Sequence, residues 1–412
     1  MGSSQSCFAP RLPIVRGMGI VALGTILMTA PSVSAQKSKL RALPSLNEPE
    51  SASRGSQRSD RNADVPITLN AGATIPLDDG RGYPNAYGYF FTKRKAWPWP
   101  ETDFQAAFAV VAADAELSWR GLLTRDTDLG FGVNYQTFGR YEEYNRGQIL
   151  ILERMATDTV SGRLFIHQRV HHNFAQVAEL RAMYELGYTD YSRDDETITN
   201  FTLANSGIFQ TARLSGGSGT YEASNYSPKG WSLSFNVEAT FRDDWRRWGP
   251  PNLYDSSSEF QKFQLDGVYV LPIYKDQSLI GRFTGGVGND LDRLAAFKLG
   301  SSLTGKPGTL VLHGFYTEEI FAEDFVLGNV DYVIPILTEQ QLALHFYADG
   351  AATTRGDVPD RSVHGWAGIG SAVTFVGWWE TEWQVGYGFG INAQRGTDNG
   401  GHEFFTQMSK QF

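Results

Sequence analysis

Residues 230–241, GWSLSFNVEATF, alternate without a break. Leu233, Phe235, Val237, Ala239 and Phe241 fall on one face of an extended chain, and Ser232, Ser234, Asn236, Glu238 and Thr240 fall on the other. A period of two marks a strand with one apolar and one polar face, and it excludes an amphipathic helix, whose apolar positions recur every three or four residues. The pattern returns at residues 342–349, where Leu342, Leu344, Phe346 and Ala348 alternate with Ala343, His345, Tyr347 and Asp349. Further strands are expected near residues 67–75, 104–112, 129–138, 148–155, 162–170, 177–188, 263–271, 278–287, 331–336, 372–380 and 382–391. Helical periodicity is nearly absent. Asp78-Asp79-Gly80, Ser215-Gly216-Gly217 and Asn399-Gly400-Gly401 read as turn signals between strands.

One such strand would suit a soluble sheet equally well; the repetition points to an all-β antiparallel transmembrane barrel, with lipid outside and water inside. No segment after the amino-terminal leader offers about 18 uninterrupted apolar residues, so no helix is expected to span a bilayer. The mean hydropathy of −0.30 resembles a soluble protein, as it must if half of each strand faces water. The 44 glycines suit turns and bends, and the 13% of aromatic residues suit interfacial girdles. The chain end alternates too. Phe404, Met408 and Phe412 share one face, while Gln407, Ser409 and Gln411 share the other. A closing strand that ends on an aromatic residue looks like the recognition signal of bacterial outer-membrane barrels.

The amino-terminus agrees with that compartment. Arg11 and Arg16 form a positive region, residues 17–30 a short apolar stretch, and Val33-Ser34-Ala35 a small-residue cleavage site. Residues 1–35 therefore read as a cleaved signal peptide. The single cysteine, Cys7, lies inside that leader, which excludes disulfides and cysteine-ligated metals from the mature chain. The leader holds two of the 36 basic residues and none of the 45 acidic ones, so the mature chain is more acidic than the whole chain's −9. That sign disfavours nucleic acid as a partner.

Residues 36–64 are polar and aperiodic and read as a disordered periplasmic linker. Residues 65–412 would form the barrel. Sixteen strands would use about 22 residues each with their connections; fourteen or twelve would fit with longer loops. Residues 188–199 and 242–259 are charged and look like long extracellular loops, the second carrying Trp245 and Trp248 as an interfacial aromatic cluster.

Catalytic chemistry finds little footing. His171-His172, the triplet Asp194-Asp195-Glu196 and the pair Asp243-Asp244 lie at strand ends or in loops, where such groups are ordinarily solvated. There is no Gly-x-Ser-x-Gly elbow, no HExxH pair and no EF-hand spacing. We expect no enzyme, no cofactor and no metal site.

An ordered series of motifs near the carboxy-terminus carries a resemblance. LAAFKLGSSLTGKPGTLVLHGFY (residues 294–316) is a glycine-rich approach to the tip His313-Gly314-Phe315. Leu327-Gly328-Asn329 precedes Asp331-Tyr332-Val333-Ile334-Pro335; His345 to Gly350 gives an aromatic–Asp–Gly strand; Gly365 to Gly370 gives a glycine-spaced strand. In order and spacing these resemble the carboxy-terminal barrel of the BamA/TamA superfamily, also called the bacterial surface antigen or outer membrane protein 85 superfamily. The resemblance implies sixteen strands, a long sixth extracellular loop folded into the lumen, and a loop-tip arginine meeting an acidic residue on the inner wall. Here His313 stands in place of that arginine, and Asp349, on the polar face of its strand, is the implied partner. Asp331 replaces the usual glutamate ahead of Pro335, and Lys410 interrupts the apolar face of the last strand. The POTRA repeats that accompany assembly and secretion members have no counterpart in the linker.

The expected function is that of a monomeric outer-membrane barrel in contact with lipid and lipopolysaccharide. It would assist insertion or translocation of protein, or of lipid, through a weak barrel seam and a loop-plugged lumen, with an unfolded protein as client. The alternatives are a passive porin-like channel and a surface-exposed structural barrel. A porin constricts near mid-chain, whereas the diagnostic loop here lies late, at residues 298–327.

Overall fold

A computed structural model describes residues 65–412, apart from 79–83, 146–147, 151–152, 173–175, 251–255, 275, 304–308, 338–341, 355–362 and 397. The leader and the linker lie outside the described residues. Sixteen strands close into one antiparallel barrel in which each strand pairs with its neighbours in sequence. They are β1 (Val65–Pro76), β2 (Asn85–Lys95), β3 (Thr102–Ala109), β4 (Ala112–Thr124), β5 (Thr127–Tyr141), β6 (Met155–His172), β7 (Gln176–Arg193) and β8 (Gly207–Gly219). The second half is β9 (Trp231–Arg242), β10 (Glu259–Pro272), β11 (Ser278–Asn289), β12 (Asp324–Pro335), β13 (Leu342–Thr354), β14 (Val363–Val376), β15 (Glu382–Arg395) and β16 (Asp398–Gln411). No helix among the described residues is long and apolar enough to cross a membrane.

The alternation sets the two faces of the wall. On β9, Leu233, Val237 and Phe241 are exposed, while Asn236 and Thr240 are buried. On β13, Phe346 is exposed, while His345, Tyr347 and Asp349 are buried. Apolar residues outside and polar residues inside reverse the order of a soluble protein, and the exposed band fits lipid. The inward polar groups pair across the lumen side. Arg163 binds Asp114 at 2.5 Å and Glu116 at 2.8 Å, and Arg181 also binds Glu116 at 2.5 Å.

The seam between the first and last strands is paired. Nine residue pairs run from Thr68 opposite Gln411 to Pro76 opposite Glu403. By comparison, β6 and β7 share eighteen. Both strand ends nearest the termini lie at one end of the barrel, where connections such as 125–126 and 273–277 are short. The opposite end carries the long connections 142–154, 194–206, 243–258 and 290–323.

Several strand assignments are corrected. β2, β4 and β8 were not expected as strands. Residues 104–112 cover β3 and its turn into β4, where Val110 is 98% exposed. Of residues 148–155, Gln148–Ile149 joins a two-residue ladder with Tyr144–Asn145, and Met155 opens β6. Ser215-Gly216-Gly217 lies inside β8; a Cβ on Gly216 would meet side chains of Leu180 and Phe235 within 2.9 Å, so this glycine makes room for its neighbours and forms no turn. Asn399-Gly400-Gly401 likewise lies inside β16. The long connections are not simply wet. Trp248 is fully buried, edge-on to Tyr141 at 5.1 Å, in a cluster with Phe201, Met155 and Phe321 drawn from three connections and two strand ends.

Candidate functional site

The connection 290–323 supplies the candidate site. It leaves β11, forms a short ladder of Phe297–Leu299 with Ile320–Ala322, and packs Leu299, Leu312, Phe315 and Ile320 against Phe325, Leu327, Ala351 and Ala393 of the barrel strands. Those wall residues share the inward face of their strands, so the described part of the connection lies against the inner wall.

The tip residue His313 is 2% exposed. Its backbone N–H donates to Asp349 Oδ2 at 2.8 Å, and its Nδ1 lies 2.5 Å from the same oxygen. Asn329 Nδ2 donates to the other Asp349 oxygen at 2.7 Å and to the Val311 carbonyl at 2.9 Å. The imidazole stacks on Tyr347, with centroids 4.2 Å apart and planes 11° apart. In this arrangement Nδ1–H is the donor, and Nε2 meets no hydrogen-bond partner among the described residues.

The tip fits because the wall beneath it is glycine. Gly314 has φ +78°, and a Cβ there would sit 1.9 Å from the Gly390 nitrogen. A Cβ on Gly368 would meet the His313 carbonyl at 2.3 Å, and one on Gly388 would meet the Gly314 nitrogen at 2.6 Å. Gly388→Ala should therefore push the tip off the wall. Overpacking of this kind costs about 1–3 kcal/mol, so roughly tenfold or more faster protease cleavage in 290–323 is expected. Gly350→Ala, whose Cβ would meet nothing within 4 Å, is the control and should leave cleavage unchanged.

Two further ties reach the seam strands. Ser302 Oγ donates to Glu403 Oε2 of β16 at 2.5 Å and accepts the Gly314 N–H at 3.2 Å. Arg395, at the end of β15, binds Glu319 Oε1 at 2.5 Å and Asp78 Oδ2 at 2.9 Å, donates to the Gly314 carbonyl at 3.2 Å, and lies 3.8 Å over the Tyr316 ring. Asp78 follows β1 directly and also accepts the Tyr316 hydroxyl and, at 3.1 Å, the His402 N–H of β16. Burial opposes ionisation of Asp78, but these donors and Arg395 outweigh it and hold the carboxyl below its ordinary value.

The anticipated residues divide into three groups. His313, Gly314, Phe315 and Asp349 meet at the tip, where Phe315 is fully buried and edge-on to Trp366 at 5.9 Å. Asp331 does not touch the tip. It lies 3.2 Å from His345 Nδ1, and Pro335 ends β12 opposite Ala343. Phe404 and Met408 share the outer face of β16, opposite Ile75 and Ala71, while Phe412 is 62% exposed and its N–H donates to the Ile67 carbonyl. Sequence reasoning missed Asn329, Ser302, Glu403, Arg395, Glu319 and Asp78. It also missed Phe405, fully buried and 5.9 Å from the His313 ring. Among the described residues no group of three His, Cys, Asp or Glu side chains is placed to hold a metal.

The Omp85 superfamily domain matches residues 111–397. No curated protein matches the chain. Among solved structures, BamA from Haemophilus ducreyi lacking POTRA domains 1–3 aligns with a TM-score of 0.54 at 11% identity, over 84% of this chain and 70% of that one. CdiB from Acinetobacter baumannii aligns with a TM-score of 0.56 at 10% identity, and CdiB from Escherichia coli with 0.55 at 12%. Each CdiB match covers 84% of this chain and 60% or 63% of the CdiB chain, less than two thirds. At these identities the likeness is one of fold.

Proposed function

We propose that this chain, which belongs to the Omp85 superfamily, is a non-enzymatic outer-membrane barrel that assists insertion or translocation of protein, or of lipid, by parting its β1–β16 seam while connection 290–323 holds the lumen shut. The observation that carries this reading is the convergence of one connection on both sides of the seam, through Ser302 to Glu403 and through Tyr316 to Asp78. The outer face of the seam supports it. Ala71, Ala73, Thr406 and Lys410 present small or polar groups where the rest of the band is apolar, which weakens contact with lipid there. The partners are then outer-membrane lipid, including lipopolysaccharide, and an unfolded polypeptide client, with a leader-dependent route to the membrane. His313 and Asp349 act as the loop's latch.

A seam disulfide tests the reading. Ala71→Cys with Met408→Cys joins residues paired across the seam. In proteoliposomes offered a urea-unfolded barrel protein, oxidation should lower protease-protected product at least tenfold, and reduction should restore it. Equal product in both states removes the seam from the mechanism. A large steady conductance of the unmodified protein in planar bilayers would instead favour the porin-like alternative.

A further inference from the structure

The barrel carries a second closure at its other end. Connection 220–230 joins β8 to β9 among the short turns, yet it is a structured hairpin. Glu222 and Lys229 exchange both backbone hydrogen bonds, at 2.8 and 3.3 Å, and their side chains pair at 3.0 Å. Inside the hairpin, Ser224 Oγ accepts the N–H groups of Tyr226 and Ser227 at 3.2 and 3.1 Å, a local turn that needs no outside support.

This hairpin folds across the lumen. Tyr226 is 5% exposed and packs among Val270, Ile280, Val333 and Ala343, all on the inward face of β10–β13 near their short-turn ends. Arg282 of β11 donates to the Tyr221 hydroxyl at 3.4 Å. The tip residue Asn225 donates to Glu382, the first residue of β15, six strands further round than β9. Glu382 in turn lies opposite Ser409 of the closing strand. Between the hairpin and the His345–Tyr347 layer there remains a cavity of about 60 Å³. A solute path along this side of the lumen would thus meet two separate obstacles, connection 290–323 from one end and the hairpin from the other.

We propose that hairpin 220–230 is an independent gate at the short-turn end, and that the lumen conducts only when both elements are displaced. The inference rests on the reading of 290–323 as the other closure. The hairpin's anchors include an aromatic wedge in an apolar ring, the Arg282–Tyr221 hydrogen bond and the Asn225–Glu382 amide–carboxylate bond.

Single-channel recording on four proteins in planar bilayers tests it: the unmodified barrel, one with 302–318 replaced by a Gly-Ser link, one with 221–229 replaced by Asn-Gly, and one with both changes. The unmodified and singly shortened barrels should show rare openings, and the doubly shortened barrel a steady conductance at least tenfold larger. If the loop-shortened barrel already conducts as steadily as the double one, the hairpin closes nothing and the inference is overturned. If the hairpin-shortened barrel alone conducts steadily, the requirement for both displacements is overturned, and it is the closure by 290–323 in the proposed function that fails. Should shortening 220–230 prevent folding, judged by heat-modifiable migration, Tyr226→Asp with Asn225→Ala in the loop-shortened background releases the hairpin without removing it. The same tenfold rise is then required, and its absence refutes the gate.

Discussion

Asp349→Ala is expected to release the loop tip while leaving the barrel closed. In the native arrangement one carboxylate accepts the His313 backbone N–H, its Nδ1–H and the Asn329 amide. Removal strands these donors in a site where His313 is almost wholly buried. An unmet buried donor costs about 1–3 kcal/mol, so the seated conformation should lose on the order of 3 kcal/mol, a shift of roughly a hundredfold toward the free tip. Thr353, Ala351 and the other wall residues keep their ladder to β12, so barrel thermal stability should fall far less. His313→Ala removes the ring and its stack on Tyr347 but leaves the backbone N–H on Asp349, and should cost less. The double variant should add little to Asp349→Ala alone if the two groups act as a pair. The readouts are protease cleavage within 290–323 and, with 221–229 replaced by Asn-Gly, the frequency of transient openings in planar bilayers. Strictly additive effects, or no change in cleavage for Asp349→Ala, would show that the 2.5 Å contact does not hold the tip.

The parts of this site that were legible in the sequence are those governed by strict alternation. Asp349 was placed on the inner face because the period of two runs unbroken from Leu342, and β13 keeps its register against β12 and β14 along its length. His313 entered through a motif series, not through periodicity, since nothing in a connection's composition states where its tip comes to rest. Arg395 stayed hidden for a specific reason. The β15–β16 register shifts between Gly390 and Gln394, so a side chain that unbroken alternation would turn outward joins Ala393 in facing the lumen. β8 was missed because its outward apolar residues are interrupted by Gly216, which houses Leu180 and Phe235, and the Ser-Gly-Gly composition there mimics a turn. Asp78, Tyr316 and Glu319 are brought together only by barrel closure, which joins parts of the chain more than two hundred residues apart and leaves no local trace.

The same closure makes Arg395→Met the variant with the broadest expected effect. The guanidinium is 2% exposed and fills the space between Asp78 at the exit of β1 and Glu319 of the loop. Deleting one partner of a buried ion pair commonly costs about 3–5 kcal/mol, because the remaining charge is left without compensation. Here two carboxylates would remain, facing each other across the space the guanidinium had filled. The loss should therefore appear in two observables at once: faster proteolysis of 290–323 and a lower temperature for loss of the folded, heat-modifiable band, since Asp78 also accepts from the His402 amide across the seam. Arg395→Lys keeps the charge but not the planar fork, and should recover only part of the loss.

The pH dependence separates this account from simple loss of packing. In the native protein the lowered Asp78 carboxyl contributes stability above its ordinary value of 3.8, and that contribution disappears as the pH falls through the lowered value. In Arg395→Met the sign reverses. The two carboxylates destabilise when ionised, and protonation relieves them, so the variant should gain relative to the native protein as the pH is lowered. The gap in thermal stability should thus narrow steadily from pH 7 toward pH 4, and Glu319→Gln introduced into Arg395→Met should narrow it at pH 7 as well. A gap that stays constant across that range, with no rescue by Glu319→Gln, would mean that Arg395 serves the seam by its bulk alone.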